Sequence, residues 1–371
     1  MNSIVYVGMD VHKESYTLSS YSFMEDEIKY QQKMKPDYKM VMKYLGQVRS
    51  RYTEEVEFIC GYEAGCLGYT LYHQLKEHGV KCIILAPTTM AEINNKRVKT
   101  DKKDSGNIAK CLAYGTYSPV HVPTEEDEAV KEFIRMRDAQ KKSLKGIKQQ
   151  ILALVLRHGC SFEDGKSYWT IKHISWLKSI NLGGVLQESL SEYLVTYDYL
   201  TDKIRRLDQR IEELADTERY QEKVKRLQCL IGVKTHTALS VLVEIGDFNR
   251  FANAEKMASY LGLVPGENSS GNKQNRLSIT KAGNSQVRRL LVESAQGYTR
   301  GKIGHKSADL KRRQKGNTTQ VIAYADKANE RLRRRFYRMT IKNNTNRNIA
   351  ATAIARELAC FIWGLMTDNI A

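Results

Sequence analysis

The sequence predicts an α/β domain at the N-terminus, then a helical coiled-coil middle, then a mostly helical C-terminal domain that carries a serine-containing loop. Strand-like and helix-like segments alternate over the first 120 residues, which is typical of an α/β domain. After Pro123 the only proline is Pro265, and the long charged segments around it favour helices. Apolar residues recur every three or four positions from Leu190 to Leu214, as in a coiled coil. The predicted domains are residues 1–120, 121–226 and 227–371.

The N-terminal elements follow from local patterns of apolar residues. The run Ile4–Asp10 and the alternating run Tyr16–Tyr21 predict the two strands of a β-hairpin. The apolar run Val80–Ala86, which Pro87 stops, predicts a buried strand. In chain order the sequence predicts strands at 4–10, 16–21 and 28–34, a helix at 37–49, a strand at 56–62, a helix at 67–78, a strand at 80–86 and a helix at 102–114.

The middle of the chain carries a heptad pattern. The apolar positions follow steps of three and four over more than three heptads, which predicts a coiled coil or a helical hairpin. These positions are Leu190, Leu194, Tyr197, Leu200, Ile204, Leu207, Ile211 and Leu214. The earlier segment with Phe133, Leu144, Ile147, Ile151 and Leu154 is the expected partner. Pairing with a second subunit and ordinary core packing within one chain are equally consistent with the pattern.

The charge of the chain indicates a polyanionic partner. The 371 residues contain 59 Lys+Arg and 42 Asp+Glu, a net charge of +17. Residues 271–371 contain 21 Lys+Arg and 6 Asp+Glu, so +15 of that charge lies in the C-terminal quarter. An imbalance of this size favours binding to nucleic acid. No stretch is apolar over the ~18 residues of a membrane span, and no signal peptide is recognisable, so we expect a cytoplasmic protein.

Four acidic residues lie where a metal site would form. Asp10 ends the first strand, Glu63 follows the fourth, and Asp101 and Asp104 share one face at the start of a helix. In a ribonuclease-H-like strand order the first and fourth strands are neighbours, so the two strand ends would place two carboxylates side by side. Such anions repel each other unless a divalent cation binds between them. Because cysteine pairs with zinc spacing are absent, the sequence predicts oxygen ligands and Mg²⁺. A helix-capping Asp101 and a surface Glu63 are the simpler alternatives.

A second informative segment runs from Tyr260 to Asn284. It is rich in Gly, Ser and Asn and is followed by Arg288 and Arg289. Such composition is ordinary for a surface loop. It is also suited to a serine nucleophile in a phosphate-binding loop, where Lys281 or one of the two arginines would neutralise a phosphodiester.

With these motifs the chain resembles the transposases of the insertion sequence one-ten family, which have a RuvC-like DEDD domain and include the Piv-type DNA invertases. The motifs V-G-M-D, Y-E-A-G and K-T-D-K-K-D match the family's four acids, at Asp10, Glu63, Asp101 and Asp104. The motifs Y-L-G-L-V-P-G-E-N-S-S-G and I-T-K-A-G-N match its second domain, and the family's serine falls on Ser270. The resemblance extends over nearly the whole chain. The resemblance does not decide between Ser270 and the adjacent Ser269 as the family's serine.

The resemblance implies a recombinase that excises and inserts its own element through a covalent 5′-phosphoserine intermediate. It implies that the four acids bind Mg²⁺ and that a structured bridge RNA pairs with both donor and target DNA. It further implies a tetramer joined through the coiled coil, with each active site formed between the RuvC-like domain of one subunit and the serine domain of another. Sequence choice would then lie mainly in the RNA.

Two other functions are compatible with the same residues. A metal-dependent nuclease of the Holliday-junction type would use the four acids to activate water and would not need Ser270. A non-catalytic scaffold that binds RNA or DNA would use the acids only as helix caps and surface charges, and it would not depend on Mg²⁺.

Overall fold

The structure is a computed structural model that describes residues 3–87, 90, 101–267 and 276–370. The chain divides into two compact units, Met1–Val122 and Pro123–Ala371. The second unit contains both the predicted middle and the predicted C-terminal segments. The predicted domain bounds, 1–120, 121–226 and 227–371, remain predictions.

The first unit is a mixed α/β fold, as the sequence predicts. Its elements are β1 Ser3–Val11, β2 Tyr16–Ser22, β3 Glu27–Met34, α1 Tyr38–Arg49, β4 Val56–Glu63, α2 Thr70–Glu77, β5 Lys81–Leu85 and α3 Asp101–Tyr114. The five strands form one sheet in the order β3-β2-β1-β4-β5. Strand β1 pairs with β2 in antiparallel orientation and with β4 in parallel orientation, which confirms that the first and fourth strands are neighbours.

The two faces of the sheet are packed differently because successive side chains of a strand point to opposite sides. Val5, Val7 and Met9 of β1 are fully buried and belong to the apolar core that also contains residues of α1 and α2. The alternate residues of β1 lie on the other face, under α3. The residue at the C-terminal end of that second series is Asp10.

The second unit is mostly helical. Its helices are α4 Glu125–Arg157, α5 Ile171–Ser179, α6 Gly184–Ala215, α7 Gln221–Leu227, α8 Thr235–Ile245, α9 Ala254–Tyr260, α10 Ser285–Ala295, α11 Ala308–Gln314, α12 Thr319–Tyr337 and α13 Arg347–Met366. A two-stranded sheet is formed by β6 Pro265–Glu267 and β7 Arg276–Ile279, a 3-10 helix spans Gln296–Thr299 and a π-helix spans Arg338–Lys342. Helix α13 is long and apolar enough to cross a membrane, but 56% of its most apolar window is buried, and it contributes Ile354, Leu358 and Ile362 to the core of this unit.

The predicted helical hairpin forms within the chain. The guanidinium group of Arg137 on α4 donates to both carboxylate oxygens of Asp208 on α6, at 2.6 and 2.9 Å. Toward the other end of α4, Ile151 and Leu154 share an apolar cluster with Leu190 of α6, so the two long helices run antiparallel. The side chains of the predicted seam therefore pack against α4 of the same chain, and pairing with another subunit remains a prediction.

Candidate metal centre and serine loop

The parallel pairing of β1 and β4 positions the first two predicted acids. Met9 lies opposite Tyr62, and the next residues of the two strands are Asp10 and Glu63. Neighbouring strands are about 4.8 Å apart, and residues in parallel register point to the same face. Asp10 and Glu63 are each one residue beyond the last pair of these two neighbouring strands.

A row of small residues lets α3 approach the sheet closely. Gly8 of β1 pairs with Gly61 of β4 on one side and with Ser19 of β2 on the other. The Ser19 hydroxyl is 2.7 Å from the hydroxyl of Ser105, and both residues are fully buried. The carbonyl oxygen of Ser105 would lie only 2.0 Å from a Cβ atom built on Gly8, so α3 rests on the strand backbone itself. This contact brings the first turn of α3, with Asp101 and Asp104, toward Asp10.

The side chain of Asp10 is 14% exposed and accepts a hydrogen bond from Nε2 of His12, at 3.1 Å. Burial raises the pKa of the Asp10 carboxyl, and the negative charges of Asp101 and Asp104 raise it further, while His12 lowers it. The net shift is upward because the burial and the neighbouring acids outweigh the imidazole. A cation at this position would relieve the repulsion among the three carboxylates.

Asp101 has a cationic partner of its own. The ammonium group of Lys33 on β3 lies 2.9 Å from an oxygen of Asp101, and the pKa of Asp101 is lowered by this hydrogen bond and by the charge of Lys33. Lys33 pairs with Thr17 of β2, which pairs with Asp10. Lys33, Thr17 and Asp10 thus form one row across three strands of the sheet.

The donor set fits a divalent cation in part. Ligand atoms of Asp10, His12 and Asp101 all lie within 4.8 Å of one another. That group does not include Glu63, which is exposed, or Asp104, which acts on Asp10 electrostatically. Mg²⁺ prefers oxygen ligands, and imidazole nitrogen suits transition metals better. His12 therefore fits best as the group that orients Asp10, while the carboxylates would hold the ion.

His12 and Lys33 are absent from the sequence prediction, which expected oxygen atoms alone around the metal. His12 is two residues beyond Asp10, so its position next to the first acid was visible in the sequence. Lys33 is 68 residues from Asp101 along the chain, and only the register of β2 and β3 brings the two together. That register contains an irregularity between Leu18 and Ser20, which no sequence pattern indicates.

The predicted nucleophile Ser270 and its neighbour Ser269 lie outside the described residues, which end at 267 and resume at 276. The described residues on either side can be placed in the fold. Gly283, with φ +65°, passes so close to Tyr260 that a Cβ atom there would lie 1.8 Å from the Tyr260 carbonyl oxygen. This glycine is required for the chain to fold back beside α9.

The three cations that the sequence suggested as phosphate ligands have different surroundings. Arg288 donates to the carbonyl oxygens of Leu261 and Ala282, both at 2.8 Å, and so stabilises the base of the loop. Arg289 is bound to carboxylates of α4 and α10. Lys281 is exposed, has φ +56° and lies two residues after the end of β7. Of the three, Lys281 is the one whose side chain has no hydrogen bond or ion pair with the described residues.

The arginine-rich run of α12 is largely engaged within the protein. Glu357 of α13 accepts from both Arg331 and Arg335, and Arg334 pairs with Glu330. Arg333, which is 8% exposed, donates to the carbonyl oxygens of Lys302 and His305. The run therefore contributes to the stability of this unit as well as to its positive potential.

The class of the protein follows from comparison with known families. Residues 7–159 match the DEDD-type transposase model of the IS110 group, and residues 224–311 match the model described as the transposase IS116/IS110/IS902 family. The transposase of insertion sequence element IS1533 from Leptospira borgpetersenii is 32% identical over 340 residues, which is 91% of this chain and 96% of that protein. The chain belongs to the IS110/IS116/IS902 family of insertion sequence transposases.

Other relatives extend the comparison. The transposase of IS1111A from Coxiella burnetii is 28% identical over 239 residues, or 62% of this chain and 65% of that protein. A pilin gene-inverting protein from Moraxella bovis is 32% identical over 149 residues, or 38% of this chain and 46% of that protein. As a member of this family of insertion sequence transposases, the chain is an enzyme that cuts and rejoins DNA.

Proposed function

We propose that this transposase exchanges DNA strands through a covalent 5′-phosphoserine intermediate at Ser270, with Mg²⁺ held by Asp10, Glu63, Asp101 and Asp104. The observation that carries the proposal is the convergence of β1, β4 and the start of α3, which supports a RuvC-like centre. Asp10 and Glu63 come directly after Met9 and Tyr62, which pair across the adjacent parallel strands β1 and β4. Asp101 has an oxygen within 4.8 Å of a ligand atom of Asp10. In this arrangement Glu63 completes the site from an exposed strand end.

The chemistry at the serine exchanges one phosphodiester for another. The Ser270 hydroxyl oxygen attacks phosphorus, the P–O bond to the 3′ oxygen breaks, and the serine proton is released as the departing 3′ oxygen is protonated. A 3′-hydroxyl from the partner strand then attacks the phosphoserine, and the serine hydroxyl is restored. Because each step forms one P–O ester bond and breaks one, no ATP is needed.

The acidic site and the serine loop have separate tasks in this scheme. Mg²⁺ bound at the acids would stabilise the charge on the attacking and leaving oxygens of an in-line displacement. His12 holds one oxygen of Asp10 by a hydrogen bond and so fixes the carboxylate that such an ion needs. At the other site, Lys281 can approach a phosphate from solvent, while Arg288 keeps the base of the loop in place.

We further propose that the enzyme acts with a bridge RNA that pairs with donor and target DNA, and as a tetramer joined through α4 and α6. The resemblance to the family supports both proposals. The net charge of +17 is compatible with holding two nucleic acids at once. Removal of co-purifying RNA by ribonuclease should abolish recombination at the element's junction, and sedimentation should show an assembly of four chains.

The decisive experiment is to capture the adduct. Purified protein with its co-purifying RNA and Mg²⁺ is incubated with labelled DNA that carries the element's junction, and denaturing electrophoresis detects protein bound covalently to DNA. Peptide mapping should place the label on Ser270. Ser270→Ala should abolish the adduct, whereas the matched variant Ser269→Ala should retain it.

Other results would change the assignment in specific ways. Loss of the adduct only in Ser269→Ala would move the nucleophile by one residue. Strand cleavage without any adduct would replace the serine mechanism with that of a metal-dependent nuclease. Full recombination by Asp10→Asn would exclude the acidic centre and favour a scaffold function for these residues.

Site-specific inversion is the second candidate, because two relatives are named pilin gene-inverting proteins. Inversion and transposition share the chemical step and differ in the arrangement of the DNA sites. A plasmid with two junction sites in inverted orientation would show inversion of the intervening segment if the enzyme acts as an invertase. Insertion into a separate target plasmid would identify a transposase reaction.

A further inference from the structure

An open groove of about 660 Å³ lies in the second unit, between α4 and α10. Lys141, Lys142, Lys145 and Lys148 line it from α4, and Gln286 and Arg289 line it from α10. We call it the lysine groove. Its lysines belong to α4, which precedes the C-terminal quarter of the chain. The charge count along the sequence therefore does not point to this groove.

The lysines of this groove are available for an anion. Lys141, Lys142 and Lys145 are exposed, and in the described part of the chain no carboxylate forms a salt bridge with any of them. Positions 141, 145 and 148 are spaced i, i+4 and i+7, so they lie on one face of α4 over about 10 Å. Lys148 is held in place because its ammonium group lies over the rings of Trp169 at 4.9 Å and Tyr197 at 5.6 Å.

The acidic residues of the groove are already neutralised. Asp138 accepts hydrogen bonds from His236 at 2.9 Å, from Gln286 at 2.5 Å, from Arg289 at 2.6 Å and from Arg137 at 3.2 Å. Burial alone would raise the pKa of this carboxyl, but these donors outweigh it and hold the pKa well below its ordinary value. Asp138 therefore stays ionised, and its charge is matched by cations that surround it. The remaining acid, Glu293, pairs with Arg289 at 2.9 Å.

A second set of contacts, centred on Glu244, also connects the helices that form the groove. Arg135 of α4 donates to both oxygens of Glu244 on α8, at 2.8 and 3.0 Å. Glu244 also accepts from Asn284, the residue that caps the N-terminus of α10. Helices α4, α8 and α10 are thus joined by polar contacts to two carboxylates, Asp138 and Glu244, whose side chains are only 14% and 4% exposed. The exposed lysine ammonium groups are presented from a preformed frame.

We propose that the lysine groove binds the phosphate backbone of double-helical DNA. Lysine ammonium groups are point charges on flexible stems and are common phosphate ligands, and phosphate contacts carry no sequence information. Among the described residues, those that line the groove include no aromatic ring on which an unpaired base could stack, as is usual in single-strand binding. DNA is the nucleic acid on which this transposase family acts, so the proposal rests on the family assignment and does not depend on the phosphoserine mechanism.

The test is a binding measurement in the absence of divalent cations, so that strand cleavage cannot affect it. The triple variant Lys141→Gln, Lys142→Gln, Lys145→Gln is compared with a matched control, Lys166→Gln, Lys223→Gln, Lys256→Gln. All six lysines are exposed residues of the second unit, and both variants remove the same charge. Dissociation constants for a random-sequence DNA duplex are measured over a range of salt concentrations.

We expect the groove variant to weaken duplex binding at least about tenfold and to reduce the slope of log K against log salt by roughly 0.9 for each lost phosphate contact, up to ~2.7 for three. The control should change neither quantity appreciably. The corresponding triple Lys→Arg variant should retain binding, since it keeps the charges, and unchanged circular dichroism would show that all variants are folded.

Three outcomes would overturn the proposal. Equal loss in the groove and control variants would mean that only the total charge matters. Unchanged affinity and salt slope in the groove variant would mean that DNA does not contact these lysines. A loss confined to duplex RNA or to single-stranded DNA would assign the groove to a different nucleic acid. Each of these results leaves the serine-adduct experiment unaffected, because that assay reports a covalent product.

Discussion

Replacement of Gly8 by alanine should disrupt the candidate metal centre by pushing α3 away from β1. A Cβ atom at Gly8 would lie 2.0 Å from the carbonyl oxygen of Ser105 and 2.3 Å from the amide nitrogen of Ala109. Both are backbone atoms of α3, so no side-chain rotation relieves the overlap. To bring the shorter distance to 3.0 Å, the helix must move by at least about 1 Å. Overpacking usually costs about 1–3 kcal/mol, and we expect Gly8→Ala to reach the upper end of that range.

The movement of α3 has a consequence for the acids. Asp101 and Asp104 are in the first turn of this helix, whereas Asp10 is on the strand that carries Gly8. Separating helix and strand therefore increases the distance between carboxylates that a single ion must bridge. Thermal unfolding with and without Mg²⁺ measures both effects. We expect a lower midpoint for Gly8→Ala and a smaller rise in the midpoint when Mg²⁺ is added.

Two other glycines provide controls for this experiment. Apart from the backbone of α1 itself, no atom of the described residues lies within 4 Å of a Cβ atom built on Gly46. Alanine is better than glycine in a helix by about 1 kcal/mol, so Gly46→Ala should leave the protein as stable or more stable. The three atoms nearest to a Cβ atom on Gly61 are methyl groups of Leu112 and Leu85, at 2.9 Å, which can shift, so Gly61→Ala should be milder than Gly8→Ala. If Gly8→Ala matched the wild type in midpoint and in response to Mg²⁺, α3 would not rest on β1 as described.

Three further predictions concern single contacts. Ser105→Ala removes the buried partner of the Ser19 hydroxyl and should lower the free energy of unfolding by about 1–3 kcal/mol in urea denaturation, and the double variant with Ser19→Ala should recover part of the loss. The pKa of Asp138 is lower in the folded protein than the value of about 3.9 expected when unfolded, so its stabilisation is present above that value and is lost as the pH falls below it. Asp138→Asn should therefore flatten the fall in stability between about pH 5 and pH 2, as measured by unfolding at a series of pH values, and an unchanged acid limb would contradict this. Lys33→Gln removes an exposed ion pair with Asp101 and should change the free energy of unfolding by less than about 1 kcal/mol, so a larger change would show a role beyond that pair.

The strand order and the location of Asp10 and Glu63 could be predicted from the sequence, for a physical reason. Buried strands are short apolar runs, and a carboxylate at the end of such a run is conspicuous because it has no place in the core. The approach of α3 could not be predicted in the same way. It depends on Gly8, Gly61 and Ser19 lying side by side on three strands, which is a property of the strand register and not of any one segment. A shift of one residue in that register would move each side chain to the opposite face.

The sequence shows where basic residues are concentrated, but it does not show which of them are paired in the folded protein. The C-terminal quarter carries +15 of the net +17, and the run from Arg331 to Arg335 is its most basic part. In the folded protein Glu357, Glu330 and backbone carbonyl groups accept hydrogen bonds from the arginines of this run. Lysines 141, 142 and 145 belong to a helix that also contains many acids, yet they lie where no carboxylate pairs with them among the described residues. A DNA phosphate must compete with any carboxylate or carbonyl group that already binds a cation in the folded protein. The lysines of the groove have no such carboxylate partner among the described residues, so they are better placed to bind DNA than the denser run of arginines, which already has partners.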